Sequence, residues 1–371
     1  MNISYLAMSD IPSKNANSLQ IIQMCNAFIE NGNKVKLIAP CFDHTENISV
    51  KNYYGIKNKI QIIRIGKKRK DLSKLDNIIF PLRLALYSLF NKNNLFITRN
   101  IIVSFFLIIF RIKHILELHD DLEIAGKKIS KIFKNLKLLN SNKIIKIIFI
   151  TKSLHNFISS KYNYKQKNYR ILSDASSLKI KPEKLVSKKK INIGYFGSVY
   201  NSRGTQFIIK LSKIDNKNDY FIFGGKKNDL DKIKLKHRSK NLHLHEQIPY
   251  SEISHHLKKM DILLMPYSKI VTSTGNIGNI AKFMSPMKMF DYLASGKLII
   301  SSDIPVLREI LKHQYNAILI KNYENIFEWK KYIDNFNFNL YKFMIIKKNA
   351  QQTVRDLTWI NRAKKMINLD Q

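Results

Sequence analysis

The run Ser285-Pro286-Met287-Lys288-Met289-Phe290-Asp291-Tyr292-Leu293-Ala294-Ser295-Gly296-Lys297 combines residue types that together can hold a phosphorylated ligand. Ser285 predicts an N-cap, Pro286 the first helical position, and Gly296 the close of a short amphipathic helix. The apolar Leu298-Ile299-Ile300 that follows reads as a buried strand. A helix that opens directly out of a loop presents free backbone N–H groups and a positive dipole end, which suits a phosphate. Asp291 lies about a turn and a half further in, where a carboxylate reaches a sugar hydroxyl. Without that setting, an acid on an amphipathic helix is usually a solvated face residue.

Three other segments carry polar groups at strand ends or in loops. After an apolar run at 191–196 comes Gly197-Ser198-Val199-Tyr200-Asn201-Ser202-Arg203-Gly204-Thr205. A glycine turn there lets the backbone approach a ligand, and Arg203 can pair bidentately with a diphosphate; equally, such a turn is a common surface loop. The loop Thr272-Ser273-Thr274-Gly275-Asn276-Ile277-Gly278-Asn279-Ile280 reads either as a flexible ligand loop or as plain solvent loop. Glu117-Leu118-His119-Asp120 ends a strand, and His119 there either donates a hydrogen bond to a substrate hydroxyl or is a satisfied structural histidine.

The elements that would position these groups alternate between apolar strands and helical segments, the pattern of a parallel α/β sheet. Strands are expected at 3–8, 35–39, 60–65, 95–98, 115–118, 147–150 and 169–172, with a first helix at about 18–31 stopped by Gly32. A second series is expected at 191–196, 220–223, 242–245, 262–266, 298–301 and 317–320. The polar, basic stretch 176–190 between them reads as a linker. The expected organisation is two doubly wound domains, 1–175 and 191–348, with a ligand cleft between them, and a basic helical tail at 349–371.

The wording of 285–297 resembles the donor-site signature of the retaining glycosyltransferases of family 4, and matches in the same order run from the first strand to the last helix. Among them are Pro249-Tyr250-Ser251-Glu252, Asp261-Ile262-Leu263-Leu264-Met265-Pro266-Tyr267 and Leu357-Thr358-Trp359. The resemblance implies the GT-B fold of two tandem Rossmann-like domains, with the last helix packing back on the first domain. It implies donor nucleotide-sugar contacts from Gly197, Ser198, Arg203, Gly275, Asn276, Ser285, Pro286, Met287, Lys288 and Asp291. Arg203 matches the second of two cations that clasp the donor diphosphate. Ser198 stands in place of the first, and Lys288 is the candidate substitute. The family's two glutamates fall at Phe283 and Asp291. His119 matches the histidine near the reaction centre, Arg99 an arginine that often precedes that unit, and Ala16-Asn17 the usual Gly-Gly pair on the acceptor side. His119, Arg203 and Lys288 are thus the expected catalytic groups of an enzyme moving a sugar onto a glycan or lipid-linked acceptor in surface polysaccharide synthesis.

Composition narrows the partners. Sixty-four Lys+Arg against 27 Asp+Glu give a formal charge of +37, spread along the length without any zinc-finger, basic-zipper or RNP motif. Attraction to an anionic membrane surface, through Lys67-Lys68-Arg69-Lys70 and the nearby apolar 78–90, or drift toward Lys, Asn and Ile explains it better than nucleic acid. The 101–110 apolar run is too short to span a bilayer, and Cys25 and Cys41 read as reduced core thiols, so a cytoplasmic protein, peripheral on the inner membrane face, is expected. No cofactor or metal is expected. His243 and His245 have no third ligand at suitable spacing, and no Asp-x-Asp pair follows an early strand. A nucleotide-sugar epimerase and a basic nucleic-acid-binding module are the rival readings.

Overall fold

The computed structural model describes residues 1–43, 48–91, 93–181, 183, 186–199, 201–237, 239–272 and 279–368. The chain forms two compact units, one made of residues 1–174 and 359–371, the other of residues 175–358.

The first unit holds β1 (Asn2–Leu6), β2 (Lys34–Phe42), β3 (Gln61–Arg69), β4 (Leu95–Thr98), β5 (His114–Leu118), β6 (Ile144–Phe149) and β7 (Tyr169–Ile171). They form one sheet in the order β3-β2-β1-β4-β5-β6-β7, with every pair parallel. Strands covered on both faces need apolar residues at successive positions, which is why they are legible as runs such as Phe96-Ile97 or Ile147-Ile148-Phe149, all buried. The order reverses between β1 and β4. At such a switch point the loops leaving the strand carboxyl ends part and open a crevice.

The second unit holds β8 (Asn192–Phe196), β9 (Asp219–Phe223), β10 (Leu242–His245), β11 (Ile262–Met265), β12 (Leu298–Ser302) and β13 (Ile318–Ile320). Their order is β10-β9-β8-β11-β12-β13, again parallel throughout, with the switch point between β8 and β11. Two clusters of buried apolar residues fill the unit; Tyr195, Ile222 and Trp329 belong to one and Phe196, Met265 and Phe290 to the other.

Three expectations are corrected. The helix of the 285–297 run spans Met287–Ser295, and its N-cap is Pro286, in extended conformation (φ −73°, ψ 119°), not Ser285, whose residue is buried instead. Its carboxyl end is closed by Gly296 at φ 62°, a left-handed cap. Residues 176–190 are not a free linker: Ser176 pairs in parallel with Thr358, and Ile180 is buried in the second core. The tail is not one helix. Leu340–Val354 packs on the helix Met287–Ser295 in the second unit, whereas Trp359–Ile367 packs on the first helix, Ala16–Glu30, in the first unit.

Candidate functional site

In the second unit the expected donor residues gather at the switch point. β8 runs into Gly197, whose N–H bonds the Phe223 carbonyl at 2.9 Å. A Cβ on Gly197 would stand 3.3 Å from both Lys288 Nζ and Tyr195 Oη, so the turn leaves room for an ammonium beside it. The neighbouring turn approaches as closely, because a Cβ on Gly224 would fall 1.7 Å from the Gly197 carbonyl oxygen. Tyr195 Oη donates to the Ser198 carbonyl at 2.9 Å, which fixes the start of the loop. Gly204, at φ 83°, then opens the helix Thr205–Ile214, and its missing side chain admits the Pro266 carbonyl that follows β11.

Lys288 sits in the first turn of its helix, half-buried. Its Nζ lies 4.0 Å from the Tyr195 ring centroid and 4.8 Å from that of Tyr267. No carboxylate pairs with it among the described residues. Burial and the nearby Arg203 charge hold its pKa well below the usual lysine range. Arg203 donates from Nη2 to the Thr272 carbonyl at 2.9 Å, while its buried Nε has no hydrogen-bond partner among the described residues. Two cations held together without an acid are unfavourable unless an anion arrives, since each raises the energy of the other in a poorly solvated place. Asp291 is 5% exposed, and its Oδ1 accepts from Ser176 Oγ at 2.6 Å and from Tyr250 Oη at 3.0 Å. Burial pushes its pKa up to about 7 despite those two donors. Gly275 and Asn276 lie outside the described residues.

The acceptor-side expectations fall in the first unit, also at a switch point. A cavity of about 170 Å³ is lined by Tyr5, Ser9, Asn17, Arg99 and Asn100 among others. Asn17 and Arg99 therefore share a pocket, whereas Ala16 is the exposed first residue of the helix Ala16–Glu30. His119 directly follows β5, with Nε2 2.7 Å from Glu117 Oε1. Burial and the charge of Arg99 push the His119 pKa down to about 4, against the pull of Glu117. Arg99 Nη1 donates to Gln20 Oε1 at 2.8 Å.

Sequence reasoning missed the partners that hold these groups. Tyr195 and Tyr267, whose faces flank Lys288, and Tyr250, which holds Asp291, carry no site role in the sequence reading, although Tyr250 and Tyr267 fall in segments that follow the family wording. Glu117 lies within a strand, and an acid inside the apolar Ile115-Leu116-Glu117-Leu118 is the visible sequence signal of a buried ion.

Residues 176–353 match the family described as Glycosyl transferases group 1. That stretch takes in every donor-side residue described above. Among curated proteins none matches the sequence. Solved structures resemble the whole chain. A sucrose-phosphate synthase from Thermosynechococcus elongatus superposes with TM-score 0.74 at 10% identity, covering 98% of this chain and 97% of that one. Anabaena HepE in complex with UDP and glucose gives 0.72 at 12% identity over 99% and 98%. WaaG, a glycosyltransferase involved in lipopolysaccharide biosynthesis, gives 0.67 at 10% over 98% of both chains. At such identities the likeness is one of fold, and the fold is GT-B. Family match and fold together support a glycosyltransferase.

Proposed function

We propose that the protein is a metal-independent, retaining glycosyltransferase that moves a sugar from a nucleotide diphosphate donor to a glycan or lipid-linked acceptor in the synthesis of a surface polysaccharide. The observation that carries this reading is the cation pair Lys288–Arg203 at the β8/β11 switch point, beside a glycine turn and with no carboxylate partner among the described residues. Transfer requires the bond from the anomeric carbon to the diphosphate to break, so negative charge grows on the leaving oxygens. Preorganised cations there stabilise that charge more in the transition state than in the ground state. Lys288 takes the place that Ser198 leaves open, Asp291 holds the ribose through its second oxygen, and His119 contacts the transferred sugar. Retention follows when the acceptor hydroxyl attacks on the leaving-group face: its oxygen bonds to the anomeric carbon and its proton passes to the departing diphosphate. That stereochemistry rests on the family resemblance. The complex of HepE with UDP and glucose supports a sugar-nucleotide donor.

A thermal-shift screen against nucleoside diphosphates, followed by transfer assays with the matching nucleotide sugars, tests the proposal. Stabilisation by a nucleoside diphosphate with acceptor-dependent release of it is the expected result. Conversion of the donor without any acceptor would identify an epimerase, and binding confined to polynucleotides would remove the enzyme reading.

The protein works at the inner face of the plasma membrane, on a surface in the first unit. The helix Asp76–Leu89 buries Phe80, Leu84 and Ala85 and turns Ile78, Ile79 and Leu86 outward, with Leu75 (70% exposed) and Phe90 (86%) at its ends. The exposed basic end of β3 lies against its start: Arg69 pairs with Asp76 at 3.5 Å, and a Cβ on Gly66 would meet Phe80 and Arg83. An apolar row edged by cations fits an anionic lipid surface. It fits a second copy badly, because pairing would bring two such basic edges together. No helix among the described residues is long and apolar enough to cross a membrane.

A further inference from the structure

Glu117 is the next-to-last residue of β5, with its side chain fully buried. Three N–H donors converge on Oε1: Gln20 Nε2 at 2.8 Å, His119 Nε2 at 2.7 Å and Arg362 Nη2 at 2.7 Å. Tyr5 Oη donates to Oε2 at 3.3 Å, and Arg99 reaches the carboxylate through Gln20. A buried ion pair contributes little to stability relative to apolar residues of similar volume, so packing gives no reason for a charge here. The cluster does settle one chemical question. A carboxylate facing a guanidinium stays ionised and only accepts, so the hydrogen shared with His119 is on Nε2, and in the neutral ring the lone pair is then on Nδ1. The His119 side chain keeps 19% of its surface exposed, so the ring is not sealed in.

We propose that Glu117 is the positioning residue of His119 and that Arg362, delivered by the last helix, keeps Glu117 charged, so that His119 offers Nδ1 as a hydrogen-bond acceptor to a hydroxyl of the transferred sugar. The inference rests on the role given to His119 under the proposed function, and it reverses the direction expected from sequence, in which His119 donates. The direction of the pKa shifts agrees. Glu117 is held far below the usual carboxylate range by Arg362 and His119 against its burial, and His119 is neutral at physiological pH. Besides Tyr5, Arg99, His119 and Arg362, the titratable groups facing this cluster among the described residues are Asp174, whose carboxyl burial pushes up to about 6, and Cys25, whose thiol lies by Tyr5 and is pushed well up by burial. Asp174→Asn therefore serves as the control for any pH effect near that value.

Nitrogen NMR of the full chain with labelled histidine reads the tautomer directly. The expected wild-type state is neutral, Nε2-protonated His119 between about pH 5 and 8. Glu117→Gln, whose amide can either donate or accept, is expected to mix the tautomers and lower kcat about tenfold or more with KM for the nucleotide sugar unchanged. Adding it to His119→Ala should cause no further loss, because both act through one imidazole. Arg362→Gln keeps a donor but removes the charge. The Glu117 pKa then rises, and activity is lost on acidification at a higher pH than in wild type. If Glu117→Gln does not fold, this shift of the acid limb decides the matter. An Nδ1-protonated ring in wild type, additive losses in the double variant, or an unmoved acid limb in Arg362→Gln would overturn the proposal. Unchanged transfer by His119→Ala would instead overturn the sugar-facing role and the functional reading behind it, leaving the tautomer result standing.

Discussion

Replacing Lys288 by Met keeps an unbranched chain between the Tyr195 and Tyr267 rings and removes only the charge. Lys288→Met and Arg203→Ala are each expected to lower turnover about 10²-fold, the scale of losing one preorganised group that stabilises developing negative charge. Steady-state transfer assays check this, and an unchanged rate in either variant removes that residue from the diphosphate site. Asp291 gives a separate test through stability. Its pKa is raised from about 3.8 when unfolded to about 7 when folded, so the folded chain binds the extra proton and stability falls as pH rises through that window. Asp291→Asn keeps an acceptor for Ser176 and Tyr250 but does not titrate. The wild-type minus variant difference in unfolding free energy should therefore decline between pH 4 and 7 and level off above it, as read by denaturant titrations; a flat difference would place Asp291 in contact with water or a cation. Residue types in the 285–297 run made these groups legible from sequence. The tyrosine faces and the Ser176 hydroxyl were not, because they come from segments distant in sequence that only the sheet order brings together.

Elements were more legible than their ends. Each of the thirteen expected strands has a counterpart, most plainly where both faces are covered and the run is apolar, whereas the edge strands β3 and β10 are half-exposed and carry polar residues. In β6 a buried charge hides the start of the strand. β6 begins at Ile144, not 147, because Lys146 is buried there, with its ammonium on the Met366 and Asn368 carbonyls of the tail. The turns between elements carry a steric prediction. Gly204 and Gly32 have nearly the same left-handed backbone, at φ 83° and 81°. A Cβ on Gly32 meets nothing within 4 Å, whereas on Gly204 it would lie 1.9 Å from the Pro266 carbonyl oxygen. Gly32→Ala should lose about 1–2 kcal/mol of stability from conformation alone. Gly204→Ala should lose clearly more, and equal losses in chemical denaturation would mean that the β8 and β11 loops are not packed as described.

At the scale of the whole molecule, the proposed membrane role has the +37 charge acting together with the apolar row of the helix Asp76–Leu89. The protein should co-sediment with phosphatidylglycerol vesicles at low salt and release as salt shortens the Debye length, with little binding to neutral vesicles. Leu75→Glu combined with Phe90→Glu should abolish binding while leaving stabilisation by nucleoside diphosphates intact. Equal binding to neutral vesicles, or a dimer that the double variant breaks, would reassign that surface. The division into units was only partly legible, since polar, basic residues at 176–190 looked like a spacer although their first positions pair with the far end of the second unit. That closure has a further consequence. The second unit, 175–358, is an insertion within the first, whose closing helix Trp359–Ile367 carries Arg362. Domains usually finish folding in the order in which they leave the ribosome. A nascent chain of this protein can complete its second unit while the first still waits for the helix Trp359–Ile367, with Glu117 lacking its guanidinium until that helix has been made.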